Sequence, residues 1–166
     1  MSPNIVFLFS DQQRYDTLAA YGNHWIRTPN LNGLSEQSLV FERAYVAQPV
    51  CTPARASLLT GLYPHTAGPV VNHIPLPSET RTFAEYVGDD YETAWFGKWH
   101  LGDDTLKQHG WKHWISSEDG HQRSYSREGL PLSDYHRYLE GRGYEPEGTA
   151  LDGRAMFTAG QRSRLP

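Results

Sequence analysis

Cysteine, proline and arginine fall within five consecutive residues, Cys51-Thr52-Pro53-Ala54-Arg55. Pro53 suits the first turn of a helix, which places Cys51 just ahead of a helix N-terminus. Backbone N–H groups at such a terminus attract anions, and the helix macrodipole adds to the attraction. Arg55, four residues after Cys51, comes to the same side of that turn. Leu58 and Leu59 are expected to anchor the helix, and Gly61 to end it. A reactive side chain, a fixed cation and a helix dipole around one point describe an oxyanion site. The same cysteine could instead be a small buried hydrophobe or an ordinary thiolate nucleophile. A phosphatase-type cysteine loop needs a wider Cys-to-Arg spacing than the three intervening residues found here. No second cysteine exists for a thiolate zinc site or an internal disulfide.

Two more positions carry candidate chemistry. Asp11 follows the apolar run Ile5-Val6-Phe7-Leu8-Phe9, which reads as a strand covered on both faces. Ligands of parallel sheets sit at the carboxyl ends of strands, and a carboxylate there is a donor for a hard cation. Asp11 could equally be a turn or capping aspartate. Further on, Lys98 and His100 close the segment Tyr91–Gly102. On a strand, residues i and i+2 share a face, so both could address one pocket. The plain alternative for Lys98 is a solvated surface lysine.

The elements that must position these residues are legible in outline. Thr28-Pro29 with Leu31 and Leu34 predicts a short amphipathic helix. Residues 39–46 and 91–96 read as strands, and 82–87 as a short helix. From Asp103 onward the pattern weakens: Gly, His, Arg, Ser and Asp dominate, and only 132–139 suggests a helix. So long a stretch with little regular structure is unusual in a compact domain. The expected fold is α/β, a mostly parallel sheet flanked by helices. Residues 1–102 form the ordered part of that domain and 103–166 an irregular, loop-rich continuation, and the chain reads as the front of a longer protein.

Composition excludes several function classes. The chain has 166 residues, 38% hydrophobic and 20% charged, which suits one folded domain. A net charge of −4 and a pI near 6.0 recommend neither a nucleic-acid partner nor anionic lipid. The longest early apolar run, Ile5–Phe9, is too short for a signal peptide or for the roughly 20 residues of a membrane span. The expectation is a soluble, cytoplasmic protein.

The stretch Pro49-Val50-Cys51-Thr52-Pro53-Ala54-Arg55-Ala56-Ser57-Leu58-Leu59-Thr60-Gly61 resembles the Cys-x-Pro-x-Arg element of type I sulfatases. Asn4–Gln12, Thr28–Leu31 and the Tyr63-Pro64-His65 turn fit the same family, in the same order. Tyr91–Gly102 resembles its second element, departing at Asp90, where Gly is common, and at Phe96, where a smaller residue is common. The family belongs to the alkaline-phosphatase-like superfamily. Many members carry two aspartates where this chain has Asp11-Gln12.

The resemblance implies a role for each residue. A separate formylglycine-generating enzyme would oxidise Cys51 to formylglycine, an aldehyde hydrated to a geminal diol. One hydroxyl would attack sulfur in line and release the alcohol. The second would lose its proton and expel sulfate, restoring the aldehyde. Arg55 would hold the diol, Lys98 would contact a sulfate oxygen, and His100 would hydrogen-bond or deprotonate a hydroxyl. Asn72 is a further candidate for substrate contact. Asp11, Gln12 and residue 51 would bind calcium, or magnesium, with Gln12 lowering the charge around the ion. Arg14 and Asp16 flank that loop, where they read equally well as an ordinary ion pair. His24, His73, His109, His113, His121 and His136 show no ligand spacing, and His65 reads as a loop histidine.

The expected function is hydrolysis of a small sulfate monoester. Two alternatives remain: a phosphonate monoester or phosphodiester hydrolase of the same superfamily, or a noncatalytic remnant acting as a binding module. The family draws further metal ligands, a Lys and a His from later in its chain. Residues 1–166 alone are therefore expected to hold half a site and to be inactive or poorly folded. Sugar, choline and aryl sulfates all stay open as substrates.

Overall fold

A computed structural model describes residues 2–118 and 131–146, together with the backbone of two short strands at 148–149 and 155–156. The chain divides into two units, Met1–Val46 and Ala47–Pro166.

The first unit holds two single 3-10 turns, Tyr15–Thr17 and Ala19–Tyr21, and helix α1, Pro29–Glu36. Pro29 opens α1, as expected of a proline whose fixed φ suits the first turn. The predicted strands at 5–9 and 39–46 do not form. Ile5, Val6, Phe7, Leu8 and Phe9 are all exposed, as are Leu39, Phe41, Tyr45 and Val46. A central strand needs hydrogen-bonded neighbours on both edges and a layer on each face. A lone α-helix and two turns supply neither.

The second unit contains α2, Cys51–Thr60; α3, Pro64–Ala67; a 3-10 turn at Phe83–Glu85; β1, Ala94–Gly97; β2, His113–Ser116; and α4, Asp134–Gly141. Two further strands, β3 at Gly148–Thr149 and β4 at Ala155–Met156, pair antiparallel. In α2 the buried residues Thr52, Arg55, Ala56 and Leu59 recur at helical spacing and make one inward stripe. Leu59 anchors the helix as expected, but Leu58 points outward at 40% exposure. Gly61 ends α2 in the left-handed conformation, φ 72°, and its N–H donates to the Ser57 carbonyl at 2.9 Å.

The strand predicted from residue 91 starts at Ala94. It pairs in parallel with β2, Ala94 opposite His113 and Gly97 opposite Ser116. No expectation from the sequence covered β2, whose aromatics lack a clean period. The loop joining the two strands, residues 98–112, carries Lys98 and His100 at the carboxyl end of β1. Beneath it lies the core: Ala56, Leu59, Ala67, Leu76, Trp99 and Leu101, with Trp95, Trp111 and Trp114 packed against it. Trp99 is fully buried, its ring edge-on to Trp95 at 5.1 Å and to Trp114 at 5.3 Å. Edge-on aromatic contacts of this kind favour a single arrangement of the loop that carries them.

Helix α4 lies two residues further along the chain than the Leu132–Leu139 expectation, with Ser133 capping the His136 N–H at 3.1 Å. Burial pushes the Asp134 carboxyl up, but hydrogen bonds from the Ser116 backbone and hydroxyl and from Arg137 outweigh it and hold the group below its ordinary range. That carboxylate fastens α4 to the end of β2, at 2.8 Å from the Ser116 nitrogen. Among the described residues no helix is long and apolar enough to cross a membrane.

Candidate active site

The N-terminus of α2 and the loop after β1 are joined by two direct hydrogen bonds. The Arg55 guanidinium Nη1 donates to the Lys98 carbonyl at 2.8 Å, and the Thr52 hydroxyl donates to the His100 carbonyl at 3.1 Å. A third bond brings in another loop: the Thr52 N–H donates to Asn72 Oδ1 at 3.0 Å. The Leu76 N–H then ties this loop to the Leu101 carbonyl at 2.8 Å. Thr52 is fully buried and Arg55 is 4% exposed, so these contacts are shielded from competing water. Five sequence-selected residues of the second unit, Cys51, Arg55, Asn72, Lys98 and His100, thus belong to one hydrogen-bonded scaffold or stand next to it in the chain.

Cys51 is the first residue of α2 and is half-buried. It lies one residue further into the helix than its sequence suggests, with Val50 as the cap. The supply of spare N–H donors is narrower than expected, with the Cys51 N–H left for an anion. Val50 donates to the Gln48 carbonyl at 2.8 Å, Thr52 to Asn72, and Pro53 has no N–H. Attraction for an anion rests here on the Cys51 N–H, the helix dipole and side-chain cations.

Asn72 acts as a remote cap, doing for α2 what Val50 cannot. Asn72→Ala is expected to lower stability by about 1 kcal/mol, the usual worth of such an acceptor. Asn72→Asp keeps the acceptor and is expected to keep the stability; urea midpoints compare the two.

Lys98 and His100 lie beyond the last residue of β1, so the alternation rule does not apply to them. His100 takes a left-handed conformation, φ 59°, uncommon for a residue with a Cβ. Its N–H donates to Asp104 Oδ1 at 2.8 Å and its carbonyl accepts from Thr52, so both backbone groups are held. Its ring is 1% exposed and stands 5.7 Å from that of His73, which is also left-handed at φ 70°. Strained backbone that the surroundings over-determine is a mark of functional sites. The Lys98 ammonium lies 3.7 Å from the Glu118 carboxylate.

Asp11 and Gln12 belong to the first unit, in an exposed segment after the apolar run. Gln12 is left-handed as well, φ 57°. The Arg14 guanidinium grips Asp16 with bonds of 2.9 and 2.6 Å, and this contact holds the Asp16 carboxyl below its ordinary range. That is the ordinary ion pair, not an arranged metal donor. Among the described residues no three His, Cys, Asp or Glu side chains gather into a group able to hold a metal ion. Asp11 and Gln12 fit calcium or magnesium in kind, being oxygen donors, but not in number, since calcium takes about six to eight oxygens.

Sequence reasoning passed over Asp104 and Glu118, and found no ligand spacing at His73. None sits at a telling spacing, because each reaches the site through the fold. His121 lies outside the described residues.

A model of the sulfatase family matches residues 3–148. The chain belongs to the sulfatase family. An ulvan-active sulfatase of Formosa agariphila is 42% identical over 123 residues, covering 74% of this chain and 21% of the relative. Several solved structures align with this chain, two of them as follows. One, from Bacteroides fragilis and assigned to the sulfatases, has a TM-score of 0.62 at 28% identity, covering 69% of this chain and 31% of that one. The other, solved with its substrate D-glucosamine-2-N,6-O-disulfate, has a TM-score of 0.60 at 31% identity, covering 68% and 22%. The chain therefore spans about a fifth of the length of this curated relative (21%). Among the described residues, one parallel strand pair with helices makes a small mixed α/β arrangement consistent with an incomplete fold of that family.

Proposed function

We propose that this sulfatase hydrolyses the sulfate monoester of a small substrate through a formylglycine made from Cys51. The observation that carries the reading is the scaffold at the start of α2, where Arg55 and Thr52 bind the very loop that bears Lys98 and His100. Members of the family generally use formylglycine and a divalent metal. Residue 51 stands half-buried at the positive end of α2, where its diol oxygens would meet the helix dipole. Lys98 would meet the sulfate as charge develops on the leaving oxygen. His100, held on both sides of its backbone, would hydrogen-bond a diol hydroxyl and take its proton. Asn72 holds the turn from which residue 51 projects. The neighbour whose substrate is a disulfated glucosamine supports a sulfated sugar as the substrate class.

Calcium, or magnesium, would take Asp11 and Gln12 as oxygen donors and would supply charge neutralisation. The described donors do not complete its shell.

The test uses the full-length protein that contains residues 1–166, co-expressed with a formylglycine-generating enzyme, because this segment alone is expected to hold half a site. The expected result is turnover of an aryl sulfate, with the residue-51 peptide carrying the mass of the aldehyde. Turnover in protein whose Cys51 remains wholly a thiol would overturn the reading.

A further inference from the structure

Lys98 leaves the sheet directly after β1, and Glu118 stands two residues beyond β2. Because the strands are parallel with Gly97 opposite Ser116, both charged residues emerge at the same carboxyl edge. Ligands of parallel sheets bind at that edge. The Lys98 ammonium and Glu118 carboxylate are 3.7 Å apart, with side chains 18% and 32% exposed. Solvent therefore screens this pair less than it would an open surface pair. The register of two strands delivers the contact, so it does not depend on two long side chains meeting by chance. The edge thus carries the cations Arg55 and Lys98 against the carboxylates of Glu118 and of Asp104, the latter engaged with the His100 N–H.

We infer that Glu118 is a positioning residue that acts through Lys98 and sets the charge of ester the site accepts, favouring monoanions over dianions. The inference rests on the sulfatase reading. A sulfate monoester brings one negative charge, whereas a phosphate monoester brings about 1.5 to 2 at neutral pH. With the Glu118 carboxylate offsetting part of the Lys98 charge, a monoanion finds the better balance. The additional charge of a dianion lies close to a carboxylate in a partly desolvated site, where repulsion is strong. The pair also fixes where the ammonium sits before substrate arrives, which is preorganisation.

The experiment compares kcat/KM for an aryl sulfate and the matched aryl phosphate in the matured protein and in Glu118→Gln, Glu118→Ala and Glu118→Asp. Removing the charge is expected to lower the sulfate-to-phosphate ratio about tenfold, chiefly through a lower KM for phosphate. Glu118→Asp, which keeps the charge, is expected to hold the ratio near that of the parent. General damage to the fold would lower both rates together. Glu118→Ala provides a second charge-removing variant should Glu118→Gln melt early. A ratio that stays put in both charge-removing variants overturns the inference. Failure of the parent protein to turn over the aryl sulfate would strike the sulfatase reading itself, and that arm is read separately.

Discussion

Cys51→Ser is expected to turn a catalyst into a reagent that works once. An aldehyde hydrate has two hydroxyls on one carbon. The first becomes the sulfate ester, and the second collapses to the aldehyde and expels sulfate. Serine has only the first. Its hydroxyl can attack sulfur and release an alcohol, but the sulfated serine has no internal route back. Steady-state kcat should therefore fall by at least about 10⁴, as for the loss of other covalent nucleophiles. Up to one equivalent of alcohol per protein should precede the stop, and the residue-51 peptide should gain the mass of a sulfate. Cys51→Ala should give neither. Residue 51 is half-buried at the first position of α2, so both variants should melt close to the parent. Sustained turnover by Cys51→Ser would remove the reason for an aldehyde and with it the proposed chemistry.

Local signals in the sequence translated well into structure. Pro29 opens α1, Gly61 closes α2 in a left-handed turn, and Thr82 with Glu85 makes the capping box of a 3-10 turn at 83–85. Each depends on residues within one or two turns of each other. Strands depend on partners far away in sequence. The apolar run at 5–9 satisfies every local criterion for a buried strand and is nevertheless exposed and outside any strand. The described residues provide one parallel pair, and the chain spans about a fifth of the curated relative (21%). A run patterned for the middle of a large sheet has no such sheet here to enter. β2 shows the converse. His113–Ser116 has no periodicity to advertise it, and becomes a strand because β1 offers a ladder.

The site divides along the same line. Cys51 and Arg55 were legible because helix spacing fixes their relation. Lys98 and His100 were legible as a pair by type, but the reason for their placement was not alternation along a strand. It is the capture of their loop by Thr52 and Arg55 from α2 and by Asp104 from the loop itself. Asp104 is fully buried, and its main-chain carbonyl also accepts the Trp114 indole N–H at 2.8 Å. An aspartate in a Gly-Asp-Asp stretch reads as a turn residue. Only the fold turns it into a support for a left-handed histidine. Glu118 is further removed still, since its link to Lys98 depends on the register of β1 against β2.

Arg55→Ala is expected to be the most damaging change to stability among the scaffold residues. A guanidinium that is 4% exposed occupies the inward stripe of α2, where its neighbours Thr52, Ala56 and Leu59 are all buried. Truncation removes the stem from a packed position and leaves a void. It also takes the Nη1 donor from the Lys98 carbonyl, and a buried acceptor stripped of its donor bears its desolvation cost. Together these should cost about 2 to 4 kcal/mol, read as a lower urea midpoint at unchanged slope. Arg55→Met separates the two effects, because it restores most of the stem volume without a donor. It should recover about half of the stability and none of the activity, since the Lys98 carbonyl still has lost its tether. Arg55→Lys keeps a charge but loses the planar fork, and should fall between the two in stability. If instead Arg55→Ala melted like the parent, the link between α2 and the Lys98–His100 loop would not be structural. Lys98 and His100 would then need another reason to stand beside residue 51.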